Sequence, residues 1–361
     1  MSHYTDDRGR GTVSRPANRF EKLHLEIDDG ALEELAAIDP DFAKVRPRTT
    51  YLRDDSQSII STNSSPDLGF EASLNPYRGC EHGCAYCYAR PYHEYLGFNA
   101  GLDFETRIMV KEHAADLLEW ELASASWQPK VLACSGVTDC YQPVERELRI
   151  TRACLEVLAR FRNPVGIITK NALVTRDCDH LGELAAHGAA VVAISLTSLD
   201  ATLAGRLEPR ASRPEARLRA LRELTDAGIP AGISLAPVIP GLNDHEIPAL
   251  LQAAADHGAH FATYTVLRLP LGVADIFSGW LQRHHPQSQE KILGRIRDLR
   301  GGDRLNDSTF GTRFTGEGPI AEEIRTLFQV SARRAGLTSD RIRLNTAAFR
   351  RLMPGQLEMF G

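Results

Sequence analysis

The chain predicts an α/β fold in which six short strands alternate with helices. Three observations carry that expectation: apolar runs of five to seven residues rich in Val, Ile and Ala, amphipathic stretches between them, and glycines where those stretches end. The runs lie at 70–74, 131–135, 165–169, 191–196, 231–237 and 261–267, and their continuous apolar character suits strands covered on both faces. Helical spacing occupies 114–122, 149–162, 178–187, 214–227 and 245–257. Gly228 and Gly258 directly follow two of these stretches, as a left-handed C-terminal helix position requires. The core so defined spans 69–285. Before it lies an irregular N-terminal extension, 1–68, with one short helix expected over 31–38. After it come a C-terminal segment, 286–353, with a helix over 320–335, and a flexible tail, 354–361. Six such units fit either a partly closed barrel or an open doubly wound sheet, and periodicity does not choose between them. In both, loops at the carboxyl ends of the strands build the site.

The 361 residues are 43% hydrophobic and 25% charged, which excludes wholesale disorder and collagen-like repetition. No apolar run approaches the ~18 residues of a membrane-spanning helix. The polar first residues carry no apolar signal core, so the expected location is the cytoplasm, without a membrane partner. With 42 Lys and Arg against 47 Asp and Glu the formal charge is -5, which argues against coating of nucleic acid by the whole surface and leaves room for a local basic groove. Seven cysteines, an odd number, argue for metal or redox chemistry in a reducing compartment rather than a disulfide framework.

Three of those cysteines stand together after the first strand, where Cys80, Cys84 and Cys87 form C-x₃-C-x₂-C in a Gly-bracketed loop. A structural zinc ion would require a fourth ligand, and His82 is only two residues from both Cys80 and Cys84, an awkward place from which to share a tetrahedron. No fourth cysteine is nearer than Cys134, so the spacing favours an iron–sulfur cluster with one coordination position open.

The form C-x₃-C-x-Y-C, carried by Cys80, Cys84, Tyr86 and Cys87, resembles the radical SAM superfamily. The strings SLNPYRGCEHGCAYCYARPYHEYLG, DFETRIMVK, VTDCYQPVE, ITKNALVTRD and SLAPVIPGLND, across 73–244, resemble its spore photoproduct lyase-like branch. That resemblance implies a partial (β/α)₆ barrel of the TIM type. It implies a [4Fe–4S] cluster on Cys80, Cys84 and Cys87, with S-adenosylmethionine on the fourth iron. An electron donor such as flavodoxin or ferredoxin would then drive cleavage to a 5′-deoxyadenosyl radical that abstracts hydrogen. By the same resemblance Ser135 and Gly136 meet the methionine amino group, Lys170 and Ser195 the carboxylate and ribose side, and Tyr86 and the 236–241 segment the adenine. Relatives in this branch return hydrogen from a cysteine near the second strand, for which Cys134 and Cys140 are the candidates, with Cys140 favoured as the loop residue. Glu145, Arg206 and Arg210 also fall in strand-end loops.

The tail Gln356-Leu357-Glu358-Met359-Phe360 is similar to the bacterial sliding-clamp binding pentapeptide, with departures at Glu358 and Met359. Gln356 would fix register while Leu357, Met359 and Phe360 fill apolar pockets. Residues 331–355 carry six Arg against one acid, Asp340, and together with the tail they point to DNA as the substrate's environment. The leading expectation is therefore an enzyme of DNA-base repair or modification. Two alternatives remain: radical chemistry on a small molecule or peptide, and a metal-bearing adaptor that rides the clamp without catalysis. The glycine-rich stretch 311–319 suggests a lid or substrate loop.

Overall fold

The computed structural model describes residues 9–21, 47–134, 136–340 and 342–352. The helix expected over 31–38, Ser135, and the tail residues Gln356, Leu357, Met359 and Phe360 lie outside the described residues. Ten strands are described: β1 Thr50–Arg53, β2 Ile60–Thr62, β3 Ala72–Leu74, β4 Tyr77–Arg78, β5 Arg107–Val110, β6 Leu132–Cys134, β7 Val165–Thr169, β8 Ala190–Ser195, β9 Ala231–Val238 and β10 Ala262–Val266. The larger sheet runs β10-β9-β8-β7-β6-β3-β2. From β3 to β10 every neighbour is parallel, and only β2, at the edge, is antiparallel. Six parallel strands in chain order, joined by helices, form the partial (β/α)₆ barrel.

All six expected strands form, within one or two residues of their expected ends. The helices between them are Ala114–Ala123, Ile150–Phe161, Cys178–Ala186, Pro214–Asp226 and Ile247–Asp256. Gly228 and Gly258 have φ of 75° and 83°. Composition and spacing did not reveal the small sheet β1-β5-β4, because its strands are two to four residues long and mix polar with apolar side chains.

Alternation along the strands gives the barrel two unlike faces. Leu74, Leu132, Ile167, Ile194 and Ile233 turn toward the helices and merge into one core. The opposite face carries Ser73, Ala133, Gly166, Ile168, Val191, Ala193, Ser195 and Ser234. Closed barrels fill that interior with large branched side chains, whereas most of these are small and Ile168 is 46% exposed.

The glycine-rich stretch bridges the two edges of the open barrel. On one side the Val266 amide donates to the Phe314 carbonyl at 2.9 Å. On the other, the Gly311 amide donates to Asp67 at 2.9 Å, and Arg313 pairs with the same carboxylate at 2.6 Å. The helix Gly318–Arg334 then returns across the outside and packs on Ile247–Asp256, with Phe328 against Tyr264 at 4.6 Å between ring centroids.

Candidate radical cofactor site

The loop after β3 is held open by its backbone. The Cys80 amide donates to the Phe104 carbonyl at 2.9 Å, and the Ala85 amide to the Leu207 carbonyl at 3.0 Å. Cys80 and Cys84 are buried and Cys87 is half-buried. Beneath them Arg90, wholly buried, donates to the Cys84 carbonyl at 2.9 and 3.1 Å and to Glu105 at 2.5 Å. Its remaining hydrogens go to the Ala100 and Gly101 carbonyls, so the whole guanidinium fork is spent on fixing this loop.

The N-terminal segment crosses the same loop. The Gly11 amide donates to Glu105 at 3.0 Å, and a Cβ on Gly11 would come within 1.5 Å of the Gly83 carbonyl oxygen. Only glycine lets this strap lie so close.

Cys84 feels both Cys80 and Cys87, and Cys87 feels Cys80. Burial pushes Cys87 up, as does the neighbouring Cys80, while Arg90 and Lys170 pull it down. Among the described residues no three His, Cys, Asp or Glu side chains converge on a single-ion site. Three soft sulfur side chains in one loop suit a cluster with one ligand on each of three irons. Leu203, Leu207 and Trp280 provide an apolar wall beside Cys84 and Tyr86.

Lys170, Ser195 and Tyr86 come together at the strand ends. The Lys170 ammonium donates to Ser195 Oγ at 2.8 Å and stands 5.9 Å from the Tyr86 ring centroid. It has three hydrogens and meets this one acceptor among the described residues, so two donors remain for a ligand. Tyr86 donates its hydroxyl to Glu208, which also accepts from Thr197 Oγ at 2.5 Å and from Arg217. Burial pushes the Glu208 carboxyl up, but Arg217 and Lys170 outweigh it and hold the group below the ordinary carboxylate range. Arg217 neutralises Glu208, and Lys170 is left as the net positive charge of the cradle. A ligand carboxylate is its natural partner.

Glu208, Arg217, Thr197, Arg90 and Glu105 were not legible as site residues. Each acts through a partner brought near by folding, and nothing in local spacing marks them. Asp139 belongs with them: it accepts from Thr169 Oγ and the Lys170 amide, both at 2.8 Å, and faces His82 at 3.3 Å. This carboxylate joins the second-strand loop to the end of β7.

The other expected residues are placed as follows. Gly136 approaches a side chain: a Cβ there would meet Ser73 Cβ at 2.9 Å, and its carbonyl accepts from the Tyr88 hydroxyl at 3.0 Å. Cys134 and Cys140 lie in the apolar layer between sheet and helices, with Cys154, and neither reaches solvent. Glu145 is buried and accepts from Tyr77 at 2.5 Å and Arg176 at 2.8 Å. Arg210 pairs with Glu81 at 3.1 Å, and the Arg206 carbonyl accepts from Trp280 at 2.9 Å.

Comparison with known proteins agrees with this geometry. An uncharacterized protein of Mycobacterium tuberculosis (strain ATCC 25618 / H37Rv) is 33% identical over 284 residues, 76% of this chain and 82% of that protein. The structure of spore photoproduct lyase complexed with dinucleoside spore photoproduct shares the fold, with a TM-score of 0.58 and 16% identity over 80% of this chain and 81% of that one. A mutant of the same lyase with bound AdoMet and the dinucleoside superposes with a TM-score of 0.54 and 15% identity, covering 80% of each chain. The family model of the radical SAM superfamily matches residues 74–254, half of the chain, from the end of β3 into the helix after β9. With its three-thiol loop and partial barrel, the chain belongs to the radical SAM superfamily, whose cofactors are a [4Fe–4S] cluster and S-adenosylmethionine.

Proposed function

We propose that this enzyme abstracts hydrogen from a nucleic-acid base during repair or modification. The observation that carries the reading is the Lys170–Ser195 pair over Tyr86, beside the three thiols and at the carboxyl ends of the barrel strands. When bound, the cluster and S-adenosylmethionine supply an electron and a carbon-centred radical. The protein's part is to hold and enclose. Cys80, Cys84 and Cys87 take the irons, and Arg90 and the Gly11 strap keep their loop rigid. Lys170 and Ser195 receive the methionine carboxylate. Glu208 and Thr197 lock the Tyr86 ring, and the wall of Leu203, Leu207 and Trp280 excludes water.

A nucleic-acid substrate is supported by the shared fold of a lyase solved with a dinucleoside photoproduct and by arginines concentrated at the barrel mouth. The test is anaerobic reduction of the reconstituted chain with S-adenosylmethionine and an irradiated oligonucleotide deuterated in its thymines. Release of 5′-deoxyadenosine carrying deuterium is the expected result. Unlabelled 5′-deoxyadenosine would move the substrate to a small molecule or peptide, and none at all would overturn the catalytic reading.

A further inference from the structure

We propose that Arg268 binds a phosphodiester of the substrate strand while neighbouring bases stack on Tyr88 and Phe310; this rests on the nucleic-acid reading above. Arg268 stands two residues beyond β10, at the gap that the glycine-rich stretch bridges. Its guanidinium carbon is 4.9 Å from the Phe314 ring centroid and 5.8 Å from that of Tyr88. Those rings are its neighbours, and no carboxylate or carbonyl accepts from it among the described residues. Its Nε is buried without a hydrogen-bond partner.

The two nearby arginines are committed. Arg313 lies 4.9 Å from Phe314 and 4.7 Å from Phe310, but pairs with Asp67 at 2.6 Å. Arg300 has a buried, unpartnered Nε as well, but its terminal nitrogens donate to the carbonyls of Leu267, Thr312 and Arg313. Within a chain of net charge -5, this one patch gathers three guanidinium groups. Asp67 acts on Arg268 only at a distance and is already paired with Arg313, so this half-buried cation is under-compensated, and an anion supplied from outside removes that cost.

The rings select the kind of anion. Tyr88, beside Arg268, and Phe310, beside Arg313, are 42% and 59% exposed, so both rings offer aromatic surface at the patch. Flat aromatic surfaces next to a planar fork suit a chain that alternates bases with phosphates better than they suit an acidic peptide. Tyr88 directly follows the ligand Cys87, and its hydroxyl is tied to the Gly136 carbonyl at 3.0 Å. A base resting on this ring is thereby delivered to the carboxyl ends of the barrel strands.

The experiment uses the reconstituted full chain and fluorescence anisotropy with two probes, a labelled oligothymidylate and the same oligomer with neutral methylphosphonate linkages. The unaltered protein should bind the phosphodiester about tenfold more tightly, the weight of one charge-assisted contact. R268Q should bring the two probes close to parity, and R268K should retain part of the preference. Iron content and circular dichroism establish that each variant is folded. Equal binding of both probes by the unaltered protein overturns the proposal without needing any variant. So does a preference that survives in folded R268Q, or tighter binding of oligoglutamate than of oligothymidylate. A phosphate preference that depends on Arg268, but without deuterium transfer, would sink the reading that a thymine of the bound strand gives up hydrogen and leave the phosphodiester contact standing.

Discussion

Cys80, Cys84 and Cys87 in the loop and Cys134, Cys140 and Cys154 behind the second strand are the same residue in opposite surroundings. Burial pushes up Cys84 and Cys87 in the first group and Cys154 in the second, and their neighbours differ. Around Cys87 the cations Arg90 and Lys170 favour the thiolate. Around Cys154 the other influences, Cys134 and Glu145, act in the same direction as burial, and the thiol is held well above its ordinary value. Cys84 in the loop is also held well above its ordinary value, by burial and Glu208, with Lys170 opposing; what sets the loop apart is the pair of cations beside its thiols, Arg90 and Lys170, against the apolar packing around Cys154.

The largest effect that this contrast forecasts is on the loop. Cys84→Ala should reduce iron from about four per chain to near none, with loss of the brown colour and of 5′-deoxyadenosine release. Full iron retention in that variant would break the comparison. Next comes Lys170→Met, which should keep its iron and bind S-adenosylmethionine about tenfold more weakly by isothermal titration, since a charge-assisted contact is lost.

Behind the second strand the prediction reverses. Cys154→Ser should keep full iron content and lower unfolding stability in urea by about 1–3 kcal/mol, because a hydroxyl is buried where a thiol packs. If that variant lost its cluster, the two groups would not be independent.

An effect of similar size, confined to acid pH, concerns His93, buried under the loop with its ring edge-on to Phe104 at 5.6 Å. Burial lowers its proton affinity from 6.5 to about 4. The unfolded chain therefore takes up this proton first, and stability present above pH 6.5 is lost as pH falls toward 4. The loss should approach ~3 kcal/mol. His93→Phe should flatten the pH profile of the unfolding midpoint across that window.

The strands and the three ligands were legible because their signals are local: apolar runs for β7 and β9, and a fixed spacing for Cys80, Cys84 and Cys87. The supports of the site were not. Tyr86 and Glu208 are 122 positions apart, and Gly11 meets Glu105 across 94. A buried Glu in the sequence looks like any surface Glu until the fold supplies its Arg. The glycine content of 311–319 suggested a lid, but the contacts of this stretch lie at both edges of the sheet and could not be read from composition. The tail residues Gln356 to Phe360 lie outside the described structure, and a sliding-clamp partner rests on their sequence alone.

The bridge between the sheet edges also bears on how the molecule is put together. Arg313 reaches Ser65 over a separation of 248 residues, among the most distant pairings in the molecule. Contacts of such long range are slow to close, because the entropy of joining remote segments must be overcome before they stabilise anything. The six strands pair with sequential neighbours and can assemble without it. Substitutions that cut the bridge while keeping the helix Gly318–Arg334, such as Asp67→Ala with Ser65→Ala, should therefore leave the six strands paired and unlace only the flank beside β2.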